Sequence, residues 1–120
     1  MEALTPEAMR ALCRLEELAD GTSKGFPPLA GGFGGLFAVR QGNEVRVYVN
    51  SCPHIGTPLD WVPDRFLSAD GSRIVCAMHG AEFRIADGMC IRGPCRGEAL
   101  ETVLIQIADG MIFVPEGAGP

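Results

Sequence analysis

From Leu36 onward the chain is built of short apolar runs separated by turn residues. Leu36-Phe37-Ala38-Val39 leads into Gln41-Gly42-Asn43, after which Val45, Val47 and Val49 alternate with Arg46, Tyr48 and Asn50. A period of two that follows a turn signal predicts a hairpin carrying a half-buried strand. Arg73-Ile74-Val75 predicts a further strand. Two more hairpins are predicted at Asp-Gly turns, with Phe83 to Ala86 and Met89 to Ile91 flanking Asp87-Gly88, and Val103 to Ala108 and Met111 to Val114 flanking Asp109-Gly110. Glycine takes positive φ without a steric penalty, which is why it suits such turns. Many short strands joined by tight turns predict an all-β fold, a small antiparallel sandwich or barrel.

The N-terminal third is less regular. Leu12-Cys13-Arg14-Leu15 predicts a first strand and Glu16 to Gly21 the turn after it. The competing reading is a helix capped by Thr5, with Pro6 at its first position, running on to Leu18. Gly25 to Gly35 is rich in Gly and Pro and lacks the Gly-Lys-Ser/Thr ending of a phosphate-binding loop, so it predicts a mobile surface loop. No internal repeat or heptad interrupts this pattern.

A length of 120 residues with 47% hydrophobic content predicts one domain, residues 1–120, with one core and no need of disulfides. Fifteen acids against ten bases give a net charge of −5, which argues against a nucleic-acid partner. The N-terminus starts with acids rather than a basic stretch and has no apolar signal-like run, and no segment reaches the 18 or so apolar residues of a membrane span. The expectation is a cytoplasmic protein that does not engage a membrane.

The candidate chemistry lies in two short motifs. Cys52-Pro53-His54 and Cys76-Ala77-Met78-His79 each supply one thiolate and one imidazole, the side chains that hold iron, zinc and copper firmly at neutral pH. Zinc fingers usually group Cys with Cys and His with His, whereas each motif here pairs one Cys with one His. Of the other three cysteines, Cys13 lies between leucines and is expected to be a small buried hydrophobe. Cys90 and Cys95 bracket Ile91 to Pro94; a disulfide fits the spacing, but a reducing cytoplasm disfavours it.

Cys52-Pro53-His54-Ile55-Gly56-Thr57-Pro58-Leu59 and Cys76-Ala77-Met78-His79-Gly80 resemble the two ligand loops of Rieske proteins, and the resemblance spans roughly the whole chain. It implies a small antiparallel Rieske β domain with two cluster-binding loops side by side and a proline-containing third loop, here Gly93-Pro94, as their cover. It further implies one 2Fe-2S cluster per chain, with Cys52 and Cys76 on the inner iron and His54 and His79 on the outer one, where electrons leave. Residues 55–75 make a longer gap than a minimal Rieske ferredoxin has. The excess is placed in a loop at 63–71, where insertions have little thermodynamic effect.

The neighbours of the ligands would tune the centre. Gly56 and Gly80 would let backbone N–H groups approach the sulfurs, Pro53, Pro58 and Pro94 would stiffen the loops, and Leu59 and Trp61 would keep water away. High-potential Rieske proteins carry an extra Cys in each loop and hydroxyls that hydrogen-bond to the sulfurs. Here there is no extra Cys, and Ala81 and Phe83 stand where the hydroxyls would be. The expectation is a low-potential centre, near the roughly −150 mV end of the Rieske range.

Function follows from the resemblance and from what the composition leaves out. It implies a one-electron carrier, not an enzyme, passing charge from a flavin reductase to a terminal oxygenase and favoured as a monomer. An oxygenase would also need a mononuclear iron held by two His and a carboxylate, and both of the chain's two histidines are already assigned to the cluster. Two alternatives are the small subunit of a nitrite-reductase-like complex and a zinc-stabilised binding module.

Overall fold

The computed structural model describes residues 9–27, 35–53, 59–60, 64–77 and 80–116. Their regular structure is ten strands in three antiparallel sheets, with one short 3-10 turn at Leu15–Glu17. The central sheet pairs β2 (Ser23–Phe26), β3 (Leu36–Gln41), β4 (Glu44–Val49) and β8 (Thr102–Val103) in the order β2-β3-β4-β8. A second sheet has β1 (Met9–Arg14), β10 (Met111–Pro115) and β9 (Gln106–Ala108) in that order. The third, β5 (Arg73–Val75), β6 (Glu82–Arg84) and β7 (Cys90–Arg92), carries the second ligand loop.

The period of two explains how the sheets stack. Successive side chains of a strand point to opposite faces, and in β3 and β4 both faces are apolar. Phe37, Val39 and Tyr48 join a core cluster with Ile74 and Phe83 of the third sheet. Leu36, Ala38, Val45 and Val47 join another with Ile112 and Val114 of the second sheet. The central sheet is therefore covered on both sides. This corrects the expectation that its second strand is half-buried: Tyr48, on the supposed polar face, is 1% exposed, and its hydroxyl donates to the carbonyl of Ile85.

All three hairpins form where their turns predicted. Gly42, Gly88 and Gly110 take φ of +61°, +74° and +73°, and Asp109 joins Gly110 at +51°, the paired positive φ of a type I′ turn. Val103 to Ala108 is not one strand, however. Val103 ends β8, paired with Val47, whereas Gln106 begins β9, paired with Phe113, and Leu104 between them is 66% exposed. Of this apolar run, Val103 and Ile105 pack on a core cluster, whereas Leu104 and Ile107 are exposed. The first strand is present, with Cys13 buried as expected; of the competing helix, residues 5–8 lie outside the described residues.

Two loop expectations need correction. Gly25 belongs to β2, where its lack of a side chain makes room for the Phe66 ring: a Cβ built there would stand 3.3 Å from it. Residues 28–34 of the expected loop are outside the described residues. The supposed insertion at 63–71 also does more than bridge. Its Phe66 is fully buried and stacks on Phe37, ring centroids 4.3 Å apart and planes within 4°, a contact of the kind that aromatic quadrupoles favour when offset.

Candidate metal centre

Both motif cysteines sit where strands of different sheets end. The backbone N–H of Asn50, next after β4, donates to the Gly35 carbonyl at 2.9 Å, and Cys52 follows two residues on. Cys76 directly follows β5. The two side chains are 1% and 0% exposed and belong to one apolar cluster with Leu59, Ala81 and Phe83.

Hydrogen bonds join the loops to one another. The Ala77 N–H donates to the carbonyl of Leu59 at 2.9 Å, linking the second loop to the end of the first. Asn50 acts as a clamp beneath the first loop: its Oδ1 accepts from the Leu59 N–H at 2.8 Å, and its Nδ2 donates to Asp60 at 3.1 Å. Asn50 is the buried polar residue of the described core, 5% exposed, and a buried amide is stable only when paired in this way. Within the second loop, the Cys76 N–H donates to Ala81 and the Gly80 N–H to Cys76, at 2.8 and 2.9 Å.

Gly80 has its own N–H engaged by the Cys76 carbonyl, and its φ of +70° with open space beside it is the geometry of a turn glycine. Ala81 and Phe83 are fully buried, so no hydroxyl stands at either position. The chain's single tyrosine hydroxyl is held by Ile85 instead.

The expected cover loop does pack on the second ligand loop. A Cβ on Gly93 would stand 2.8 Å from the Cα of Ala81, a contact that backbone atoms of neither residue can relieve cheaply, and Gly93 has φ +102°. Beyond Pro94 the loop turns Cys95 inward, 2% exposed, with its Sγ 3.0 Å from that of Cys90. Burial pushes the Cys95 thiol up, reinforced by its hydrogen bonds to Cys90 and Cys52 and by their charges. The sequence offers Cys90 and Cys95 only as a disfavoured disulfide pair, and it gives no sign of the Asn50 clamp. The Cys-x4-Cys spacing was visible, but which way the side chains turn depends on the loop's backbone.

His54 and His79 lie outside the described residues, as do Gly56, Pro58 and Trp61. What the described residues supply is a pair of soft sulfur donors, enclosed by apolar side chains, on two loops bonded to each other beneath a third. That chemistry fits iron held by thiolate from the protein side.

A family model described as Rieske [2Fe-2S] domain matches residues 9–108. No curated protein sequence matches the chain. Among solved structures, the Sphingomonas yanoikuyae B1 ferredoxin is 26% identical, with a TM-score of 0.70 over 89% of this chain and 97% of its own. The ferredoxin of carbazole 1,9a-dioxygenase from Nocardioides aromaticivorans IC177 is 22% identical, with a TM-score of 0.71 over 90% of this chain and 97% of its own. A chain of a complex of reduced oxygenase and oxidized ferredoxin in carbazole 1,9a-dioxygenase is 22% identical, with a TM-score of 0.73 over 94% and 96% of the two chains.

Proposed function

The chain belongs to the Rieske [2Fe-2S] domain family, and we propose that it is a one-electron carrier that holds its cluster through Cys52, His54, Cys76 and His79 and delivers electrons to a terminal oxygenase. When bound, a 2Fe-2S cluster with mixed Cys and His ligation supplies one-electron redox chemistry at a potential above that of all-Cys plant-type ferredoxins. The observation that carries the reading is the joining of the Cys52 and Cys76 loops through Ala77 and Leu59, beneath a cover placed by Gly93.

The chain's own residues define the setting. Cys52 and Cys76 present thiolates from an enclosed apolar base, Asn50 and Leu59 fix the first loop, and Ala81 and Phe83 exclude water without offering a hydroxyl. The Ala77–Leu59 bond and the Asn50 clamp would limit reorganisation on electron transfer, which suits a carrier. Such a protein needs only a small transient docking surface. The likeness to the ferredoxin of carbazole 1,9a-dioxygenase supports a terminal oxygenase as the acceptor, and a flavin reductase is the proposed donor.

The protein is proposed to be a cytoplasmic monomer and not itself an enzyme. Among the described residues no helix is long and apolar enough to cross a membrane. Anaerobically purified protein is expected to be red-brown, with about two iron atoms and about two acid-labile sulfides per chain, and to give a low-average-g paramagnetic signal once reduced. A colourless protein holding a single zinc ion would refute the proposal.

A further inference from the structure

We propose that Cys90 and Cys95 form a reversible disulfide across the cover loop, a two-electron couple lodged against Cys52 whose state shifts the potential of the cluster. The second half of this inference rests on the reading of Cys52 as a cluster ligand; the first half does not.

The two sulfurs stand 3.0 Å apart, closer than unbonded sulfur atoms usually sit, and both residues are 2% exposed. A disulfide needs about 2.05 Å, so a movement of roughly 1 Å closes the bond. The backbone already holds the loop in the required shape without help from the thiols. Cys90 donates to the Glu98 carbonyl at 2.8 Å and accepts from the Gly97 N–H at 3.3 Å, and the Glu98 N–H donates to the Cys95 carbonyl at 2.9 Å. Cys95 is thus folded back over Cys90 by bonds at both ends of the turn, and little loop entropy is left for a crosslink to remove.

The oxidant is a small-molecule disulfide, oxidised glutathione. The S–H bonds of Cys90 and Cys95 and the S–S bond of glutathione disulfide break, while the Cys90–Cys95 bond and two glutathione S–H bonds form. The protein pair loses two electrons and two protons, and glutathione gains them. In the reduced pair Cys95 donates its one S–H proton to Cys90, and the Cys52 sulfur lies beside it, within reach of that proton when the S–H turns. A disulfide sulfur has no proton to donate, so the donor that can turn to Cys52 is removed when the bond forms. Donors to a ligating sulfur stabilise the more negative, reduced cluster, and the potential should fall.

The test equilibrates the holoprotein without oxygen in buffers of varied oxidised-to-reduced glutathione ratio, then quenches in acid, alkylates free thiols and maps them by mass spectrometry. Cys13, Cys52 and Cys76 should be labelled throughout, whereas Cys90 and Cys95 should escape labelling together as the ratio rises and recover when it is reversed. Voltammetry in the same buffers should show the midpoint falling along the same curve in the wild type and staying flat in Cys90→Ser and Cys90→Ala. Full labelling of Cys90 and Cys95 at every ratio, with iron and sulfide content intact, overturns the disulfide. A disulfide that forms while the midpoint stays constant overturns the coupling. Disulfide formation in a chain that binds no iron leaves the thiol pair standing and sinks the cluster assignment instead.

Discussion

Gly93 and Ala81 are in backbone contact across two loops: a Cβ on Gly93 would lie 2.8 Å from the Ala81 Cα and 3.1 Å from its Cβ. The cover and the second ligand loop therefore meet without a side chain between them. Gly93→Ala must push them apart and also place a Cβ at φ +102°. Gly97 separates the two effects, because its φ is +94° but nothing lies within 4 Å of its Cβ position. Gly97→Ala should lower stability by about 1–3 kcal/mol from backbone strain alone. Gly93→Ala should lower it further and accelerate loss of iron; chemical denaturation and the rate of bleaching measure both. Equal behaviour of the two variants would mean that the cover does not press on the ligand loop.

Asn50 gives a second, separate handle on the site. Asn50→Ala leaves the buried Leu59 N–H without its acceptor, a loss of about 1–3 kcal/mol, and frees the end of the first ligand loop. The expected outcome is lower thermal stability together with less iron per chain after dialysis. Asn50→Leu should be no better, since it fills the space but restores no acceptor. Full cluster retention in both would show that the first loop is held by its ligands alone.

These two residues also show what the sequence made legible. The hairpins could be read because Gly42, Asp87-Gly88 and Asp109-Gly110 act locally, through backbone conformation, and the ligand motifs because the spacing of donors carries chemistry directly. The division into three sheets could not. Val103 pairs with Val47 and Gln106 with Phe113, choices that depend on partners far away in the chain. Phe66 looked like part of an insertion because polar residues surround it; only the stacked ring of Phe37 identifies it as core. The clamp at Asn50 was hidden by its place in a regular alternation, where a polar residue reads as a solvent-facing one.

Tyr48 predicts an alkaline limit to stability. Burial, with the Asp87 charge adding to it and Arg46 opposing it, pushes the phenol up to about 12 from an ordinary value near 10. Below pH 10 the hydroxyl is protonated in both states and its contribution is fully present. Between about 10 and 12 the unfolded chain ionises first, so stability falls by on the order of 2 kcal/mol across that window. Tyr48→Phe should be less stable at neutral pH, having lost the bond to Ile85, but should show a shallower decline above pH 10. Parallel curves for the two proteins, from urea titrations at each pH, would show that Tyr48 is not the group responsible.

The ligand assignment predicts two different failures. Cys76→Ala removes a thiolate from the enclosed side of the site and should abolish the cluster. His79→Cys exchanges a neutral imidazole for an anionic thiolate and should keep some iron while lowering the midpoint toward the roughly −400 mV of all-Cys ferredoxins. Iron content and voltammetry distinguish the two. Cys76→Ala with wild-type iron content would contradict the assignment.

Ala81 and Phe83 offer no hydroxyl to a cluster sulfur, and the low potential expected on that ground can be tested by adding one. Both are fully buried beside Cys76 in the same apolar cluster, and the Tyr48 hydroxyl is committed to Ile85. The wild-type midpoint is therefore expected near roughly −150 mV. A new hydroxyl donating to a cluster sulfur strengthens on reduction, as the acceptor gains negative charge. If it is worth about 1 kcal/mol more in the reduced state, a one-electron midpoint rises by about 40 mV. Ala81→Ser and Phe83→Tyr should each raise the midpoint, and the double variant should raise it further. Neither change adds charge, so a shift caused by altered surface electrostatics should depend on ionic strength whereas this one should not. A wild-type midpoint above zero, or variants with intact clusters and unmoved midpoints, would show that something other than absent hydroxyls sets the potential.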